Sequence, residues 1–258
     1  MKLINILKKN GQSEIYDENK VILSMRNSGA DEGSIKKILE KLNSILYEGI
    51  STNEIFKFVY KELRKISDHS GARYNLKQAI FELSLNRDGY VFEKYIARLF
   101  EEDGYKIELN QFVSGNFIEH EIDVSAFKKN ERLMIECKHF SRFELGISIQ
   151  TALYVYARFL DLNKKFNKAL LATNTRFSPQ VIKYSQGVGL GLLGWKYPFD
   201  KSLEKLIESK KIYPITILPL SKSKIKEYLK KDIITFQDLL KLKDIPENII
   251  SLVNSLMS

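Results

Sequence analysis

Asp123 lies in the apolar run Ile122-Asp123-Val124, and 12 residues separate it from Glu136-Cys137-Lys138. Residues two apart on a strand share a face, so Glu136 and Lys138 project together. If the strands carrying Asp123 and Glu136 pair as a hairpin, their carboxylates converge. Two carboxylates side by side repel, and burying them is costly unless a cation joins them. A hard divalent ion such as Mg²⁺, or Mn²⁺, meets that need with oxygen ligands. Asp123, Glu136 and the backbone carbonyl of Cys137 are the candidate ligands. A lysine beside such an ion can orient or deprotonate a water that attacks a phosphodiester. Glu93, on the preceding amphipathic segment, is a fourth candidate. The thiol of Cys137 alternates away from the site residues and is expected in the core.

These residues need a frame. Phe92 to Glu102 has helical periodicity, with Phe92, Tyr95, Ile96, Leu99 and Phe100 on one side. Tyr105–Phe112, Glu121–Phe127 and Arg132–Cys137 read as strands, the last two joined by the turn Lys128-Lys129-Asn130-Glu131. A helix is expected over Ile147–Leu160, a buried strand over Lys168–Thr173, a helix through Val181–Gln186 and a glycine-rich strand in Gly187–Trp195. Before this unit, Leu3–Lys8 and Glu14–Tyr16 read as a hairpin closed at Asn10-Gly11, a strong turn signal. Apolar stripes follow at Val21, Ile22 and Met25, at Ile35, Ile38, Leu39, Leu42 and Ile45, and at Ile55, Phe58, Val59 and Leu63. Ser34 and Ser51 or Thr52 are candidate N-caps. His69-Ser70-Gly71 and Asn86-Arg87-Asp88-Gly89 read as breaks. The fold class is therefore α/β, α+β overall. It divides into a hairpin-plus-helices module (1–66), a helical linker (67–89), a mixed sheet flanked by helices (90–196) and a small helical C-terminal region (197–258).

Phe92-Glu93, Gly104-Tyr105, Asp123 and Glu136-x-Lys138 occur in an order that resembles the PD-(D/E)xK phosphodiesterase superfamily, and within it the Mrr-type restriction endonucleases. The resemblance covers about residues 86–196. It implies a restriction-endonuclease-like core, Mg²⁺ and cleavage of double-stranded DNA. By position it makes Asp123 and Glu136 metal ligands, Lys138 the water-positioning lysine and Glu93 the helix acid. Gln150, four residues before Tyr154, matches a glutamine often present on the next helix. Thr173-Asn174-Thr175-Arg176-Phe177 resembles the family's polar loop, whose groups could bond phosphate, and His120 stands where it could reach the site edge.

The N-terminal Lys8-Lys9-Asn10-Gly11, Glu14-x-x-Asp17-x-x-Lys20, Ser28-Gly29-Ala30 and Gly49-Ile50-Ser51-Thr52 resemble an ATP-cone. That likeness implies regulatory binding of ATP or dATP through Lys8, Lys9, Glu14, Lys20 and Thr52, and nucleotide-dependent homo-oligomerisation. Lysines neutralise phosphates, and the helix near Lys20 offers backbone N–H groups. There is no Gly-x-x-x-x-Gly-Lys-Ser/Thr run, so no P-loop motor is expected. Ile233–Leu239 is faintly similar to helix-hairpin-helix DNA-binding modules, but the hairpin glycine is missing at Asp244–Glu247.

Composition limits the alternatives. The chain has 258 residues, 44% apolar and 28% charged, with 15 Phe and 13 Tyr, enough for a core. Its 41 basic and 32 acidic residues give a net charge of +9, which suits a phosphate-rich partner. The single cysteine excludes a disulfide framework and a Cys-rich zinc site. No apolar run is long enough to span a membrane. The first ten residues hold too short an apolar patch for a signal peptide, so a cytoplasmic location is expected. The leading expectation is a Mg²⁺-dependent DNA endonuclease set by ATP or dATP, in restriction or phage defence. The alternatives are a non-catalytic nucleotide-sensing DNA-binding protein and a structure-selective nuclease of the junction-resolvase kind.

Overall fold

The computed structural model describes residues 4–8, 10–85, 90–141 and 145–257. A short hairpin, β1 (Asn5–Leu7) and β2 (Ser13–Ile15), leads into α1 (Glu18–Asn27), α2 (Glu32–Ile45), α3 (Thr52–Ile66) and α4 (Asp68–Tyr74). After α5 (Leu76–Glu82) come α6 (Val91–Glu102), β3 (Lys106–Ser114), β4 (Glu119–Lys128), β5 (Glu131–Lys138) and β6 (Gly146–Ile147). Then follow α7 (Ile149–Asp161), β7 (Lys168–Thr173), β8 (Arg176–Phe177), α8 (Pro179–Val188) and β9 (Gly191–Leu193). The chain ends with α9 (Leu203–Lys210), α10 (Lys222–Lys230), α11 (Phe236–Leu239) and α12 (Glu247–Met257). No described helix is long and apolar enough to cross a membrane. Two compact units result: residues 1–76 with 246–258, and residues 77–245.

In the first unit the three apolar stripes close on one core. Met25, Ile35, Ile38, Leu42, Ile55, Val59 and Leu63 are buried together with Ile6 from the hairpin, while Ile45 stays exposed. Two local readings change. The cap of α2 is Asp31, whose carboxylate accepts from the Ser34 N–H at 2.9 Å, because Ser34 already lies inside the first turn. The segment read as a break at His69-Ser70-Gly71 is helical. Ser67 ends α3 and caps α4, and Gly71 is there for close packing: a Cβ at that position would lie 2.3 Å from the Arg64 Cγ. The break read at Asn86–Gly89 lies outside the described residues.

The second unit is built on a mixed five-stranded sheet of order β3-β4-β5-β7-β9. β3, β4 and β5 are antiparallel neighbours, while β7 and β9 run parallel to β5. The pattern follows the connections. A short polar turn returns β4 into β5, and the crossovers through α7 and α8 are long enough to bring the chain back parallel. Ala152 and Val155 of α7 bury against Met134, Ala169 and Leu171 on one face of the sheet. The region after 196 that lies in this unit, residues 197–245, packs on α6. The Tyr95 hydroxyl donates to the Ile212 carbonyl at 2.7 Å, and Lys94 pairs with Asp232 at 2.5 Å.

Candidate active site

The register of β4 on β5, Val124 opposite Ile135, runs on to place Asp123 opposite Glu136. Asp123 closes that end of the hairpin: its Oδ2 accepts from the Cys137 N–H at 2.7 Å. Lys138 is the last residue of β5, where the sheet changes from antiparallel to parallel pairing.

Glu136 shares a face with Met134 and stands in register with Leu171, under α7. Its side chain is 3% exposed, so its charge must be matched locally. Lys138 Nζ lies 2.6 Å from Oε1, and Arg158 from α7 pairs with Oε2. Arg158 also donates to the Glu121 carbonyl at 3.1 Å and to the Tyr154 hydroxyl at 2.7 Å, and it stacks over the Tyr154 ring. Burial opposes the charge on Lys138. The hydrogen bond and charge of Glu136, with Asp123, outweigh it and hold the ammonium above its ordinary pKa.

The other acids feel the opposite pressure. Burial, and then the charge of Glu136, pushes Asp123 up to about 6. Burial raises Glu93, which also senses Lys138 and Glu136 from α6. The Cys137 thiol is buried and pushed well above its ordinary value, so it stays a protonated core group. Asp123, Glu136 and Lys138 therefore meet at the end of the β4–β5 hairpin, and the Glu93 charge on α6 acts on Asp123. Gln150 is exposed on the first turn of α7, and among the described residues no hydrogen bond joins it to the cluster. Arg158 was not foreseen. It continues the spacing of Gln150 and Tyr154 by four more residues, which a helical projection of that pair exposes.

The polar side chains at the end of β7 and in the loop after it make internal hydrogen bonds. Thr173, Asn174 and Thr175 are buried. The Thr173 hydroxyl donates to the Lys138 carbonyl at 2.7 Å, and the Asn174 carboxamide clamps Phe140 through both its N–H, 2.9 Å, and its carbonyl, 2.7 Å. These side chains fix the backbone that carries Lys138. His120 is engaged by Asp161 at 2.8 Å.

The fit to a metal rests on donor chemistry. Glu93, Asp123 and Glu136 form an all-oxygen acidic set in which Glu136 raises both Asp123 and Glu93 and Glu93 also raises Asp123, a field that an added divalent cation relieves. Among the described residues no group of three or more His, Cys, Asp or Glu side chains is arranged around a metal position, and Glu136 spends both oxygens on Lys138 and Arg158.

In the first unit, Lys8 pairs with Glu14 at 2.6 Å and Lys20 approaches the same carboxylate at 3.7 Å. The Lys8 hydrogen bond holds Glu14 below the usual carboxylate range. Ser51, just before Thr52, bridges Leu7, just before Lys8. Four of the five expected nucleotide contacts thus come from one neighbourhood, and Lys9 lies outside the described residues.

The restriction endonuclease family Mrr_cat matches residues 85–193, the stretch from α6 to β9. An uncharacterized protein of Archaeoglobus fulgidus is 43% identical over 145 residues, covering 56% of this chain and 83% of that protein. The chain belongs to the family of this archaeal protein. Residues 85–193 are its restriction endonuclease-like domain. The solved structure of a protein of unknown function, AF1548, superposes with a TM-score of 0.52 at 35% identity, covering 65% of this chain and 96% of its own. The MspJI restriction endonuclease, solved with a 27-mer oligonucleotide, gives a TM-score of 0.35 at 14% identity over 61% of this chain and 39% of its own. Within the Mrr-type domain, all of Glu93, Asp123, Glu136 and Lys138 fall inside the matched segment.

Proposed function

We propose that the protein is a divalent-metal-dependent DNA endonuclease. The observation that carries this reading is the meeting of Asp123, Glu136 and Lys138 at the carboxyl end of β5, inside a restriction endonuclease-like domain. Mg²⁺ or Mn²⁺, held by Asp123, Glu136 and the Cys137 carbonyl, would supply positive charge to the scissile phosphate and acidify a water. Lys138 would orient the attacking water and donate hydrogen bonds to the phosphate. The proton goes to the carboxylate of Glu93, whose affinity for it burial raises. Water's oxygen bonds to phosphorus, one P–O ester bond breaks, and the departing alkoxide takes up a proton.

Nuclease action is set by ATP or dATP at the N-terminal hairpin, where Lys8, Glu14, Lys20 and Thr52 gather. Lys8 and Lys20 release Glu14 to bind the phosphates, and nucleotide changes the association of copies of the chain, in the setting of restriction or phage defence. Supercoiled plasmid incubated with the protein and Mg²⁺ is expected to be cut, and Asp123→Ala to abolish cutting. Cutting by Asp123→Ala at the wild-type rate would remove the assigned site. Light scattering with ATP and with dATP is expected to show a change in mass that Lys8→Ala suppresses. One unchanged mass in all states would remove the regulatory reading.

A further inference from the structure

Outside its buried stripe, helix α3 sorts its side chains into two rows. Phe56, Tyr60 and Arg64 are four residues apart, and so are Lys57, Lys61 and Lys65. Residues at that spacing form a ridge on a helix, each step rising about 6 Å along the axis. In the first row the Phe56 and Tyr60 rings lie within 8° of parallel, with centroids 6.2 Å apart, and the Arg64 guanidinium stands 5.9 Å from the Tyr60 centroid. Asp68 holds Arg64 at 3.0 Å. The second row is lysine alone. The two rows meet at a surface cleft of about 280 Å³ lined by Tyr60, Lys61, Arg64 and Lys65.

The acids of this helix leave the lysine row with a positive surplus. Glu54 is spent on the Ser51 cap. Glu62 is buried, where it accepts from Lys41 of α2 at 2.6 Å and from Lys65. Both lysines remain more than half exposed, at 61% and 57%. Among the described residues Lys57 and Lys61 enter no ion pair.

The pattern repeats, with a flat group beside a cation at each turn of the helix. A ligand that matches it repeats too, carrying one flat group and one negative charge per unit. A nucleic-acid strand has that form, and aromatic side chains in a charged groove hold such strands. In a duplex the base faces are stacked away, so only an unpaired strand can use the rings. We propose that the outer face of α3 binds a single-stranded polynucleotide, with bases against Phe56 and Tyr60 and phosphates along Lys57, Lys61 and Lys65. This surface lies in the first unit and does not rest on the metal or nuclease reading.

The test uses the full chain in EDTA, so that no metal-dependent cutting intervenes. Fluorescence anisotropy follows labelled oligo(dT), oligo(U) and a DNA duplex across a salt series, for wild type, Lys61→Ala and Tyr60→Leu. Lys61 is exposed, so its truncation spares the fold, and thermal unfolding checks both variants. Lys61→Ala is expected to weaken strand binding and to flatten the slope of log affinity against log salt by about 0.7, the loss of one phosphate contact. Tyr60→Leu is expected to bind the strand about ten-fold more weakly with the salt slope unchanged, the loss of one stacked base. A preference for oligo(dT) or for oligo(U) identifies the sugar. Wild type that binds neither strand would overturn the proposal, and so would folded variants that bind as tightly as wild type. A duplex bound as tightly as the strand, and weakened equally by Tyr60→Leu, would overturn the stacking of unpaired bases.

Discussion

Glu136 is a buried carboxylate held between two cations from different elements, Lys138 on its own strand and Arg158 on α7. Removing one cation leaves a charge inside the fold with half its compensation. Arg158→Ala is expected to destabilise the protein by about 1–3 kcal/mol, measured by denaturant unfolding. Arg158→Lys should not restore it, because an ammonium cannot serve Glu136, the Glu121 carbonyl and the Tyr154 ring from one planar fork. Asp123 gives a pH signature. Its pKa is about 6 in the folded chain, against about 3.9 for an unperturbed Asp. Between these values the native state holds the proton that the unfolded chain has released. Without metal, this group's contribution therefore falls as pH rises from about 4 to 6 and stays lost above that. Asp123→Asn, which keeps an acceptor for the Cys137 N–H, is expected to raise the unfolding temperature at pH 7 more than at pH 4.5. An equal shift at both pH values would contradict the assignment.

At the scale of elements, the loop after β7 holds β5's exit in place. Asn174 is fully buried and makes two hydrogen bonds to Phe140, two residues beyond Lys138. Asn174→Ala leaves both backbone groups unpaired and is expected to cost roughly 2 kcal/mol or more. Cutting should fall further than stability alone explains, because the strand end that aims Lys138 loosens. The comparison is the cleavage rate against the fraction folded at the same temperature. What was legible in the sequence was periodic. The alternation around Asp123 and Glu136 places both acids, and the stripes of α1, α2 and α3 give the first core. What was not legible depends on approach in three dimensions. Gly71 looks like a hinge until Arg64 is set against it, and the threonines and asparagine after β7 look free until Lys138 and Phe140 arrive beside them. Helical spacing puts Arg158 on the face of Gln150 and Tyr154, but only the crossover of α7 over the sheet brings it to Glu136.

At the scale of the molecule, the chain divides into residues 1–76 with 246–258, and residues 77–245. The first carries the lysine–glutamate cluster of the hairpin, and the second carries the acids and Lys138. The restriction endonuclease family match lies wholly within the second. The surplus of 41 basic over 32 acidic residues gives the whole chain a positive balance that favours a polyphosphate partner. The most direct test is the initial rate at which supercoiled plasmid is lost in Mg²⁺, for wild type and for Glu136→Gln. Glutamine keeps the shape of the side chain but not its charge. The expected result is cutting by wild type and a loss of at least about 10²-fold in a folded Glu136→Gln, as for removal of a group that stabilises the transition state electrostatically. Equal rates for the two proteins would contradict the account.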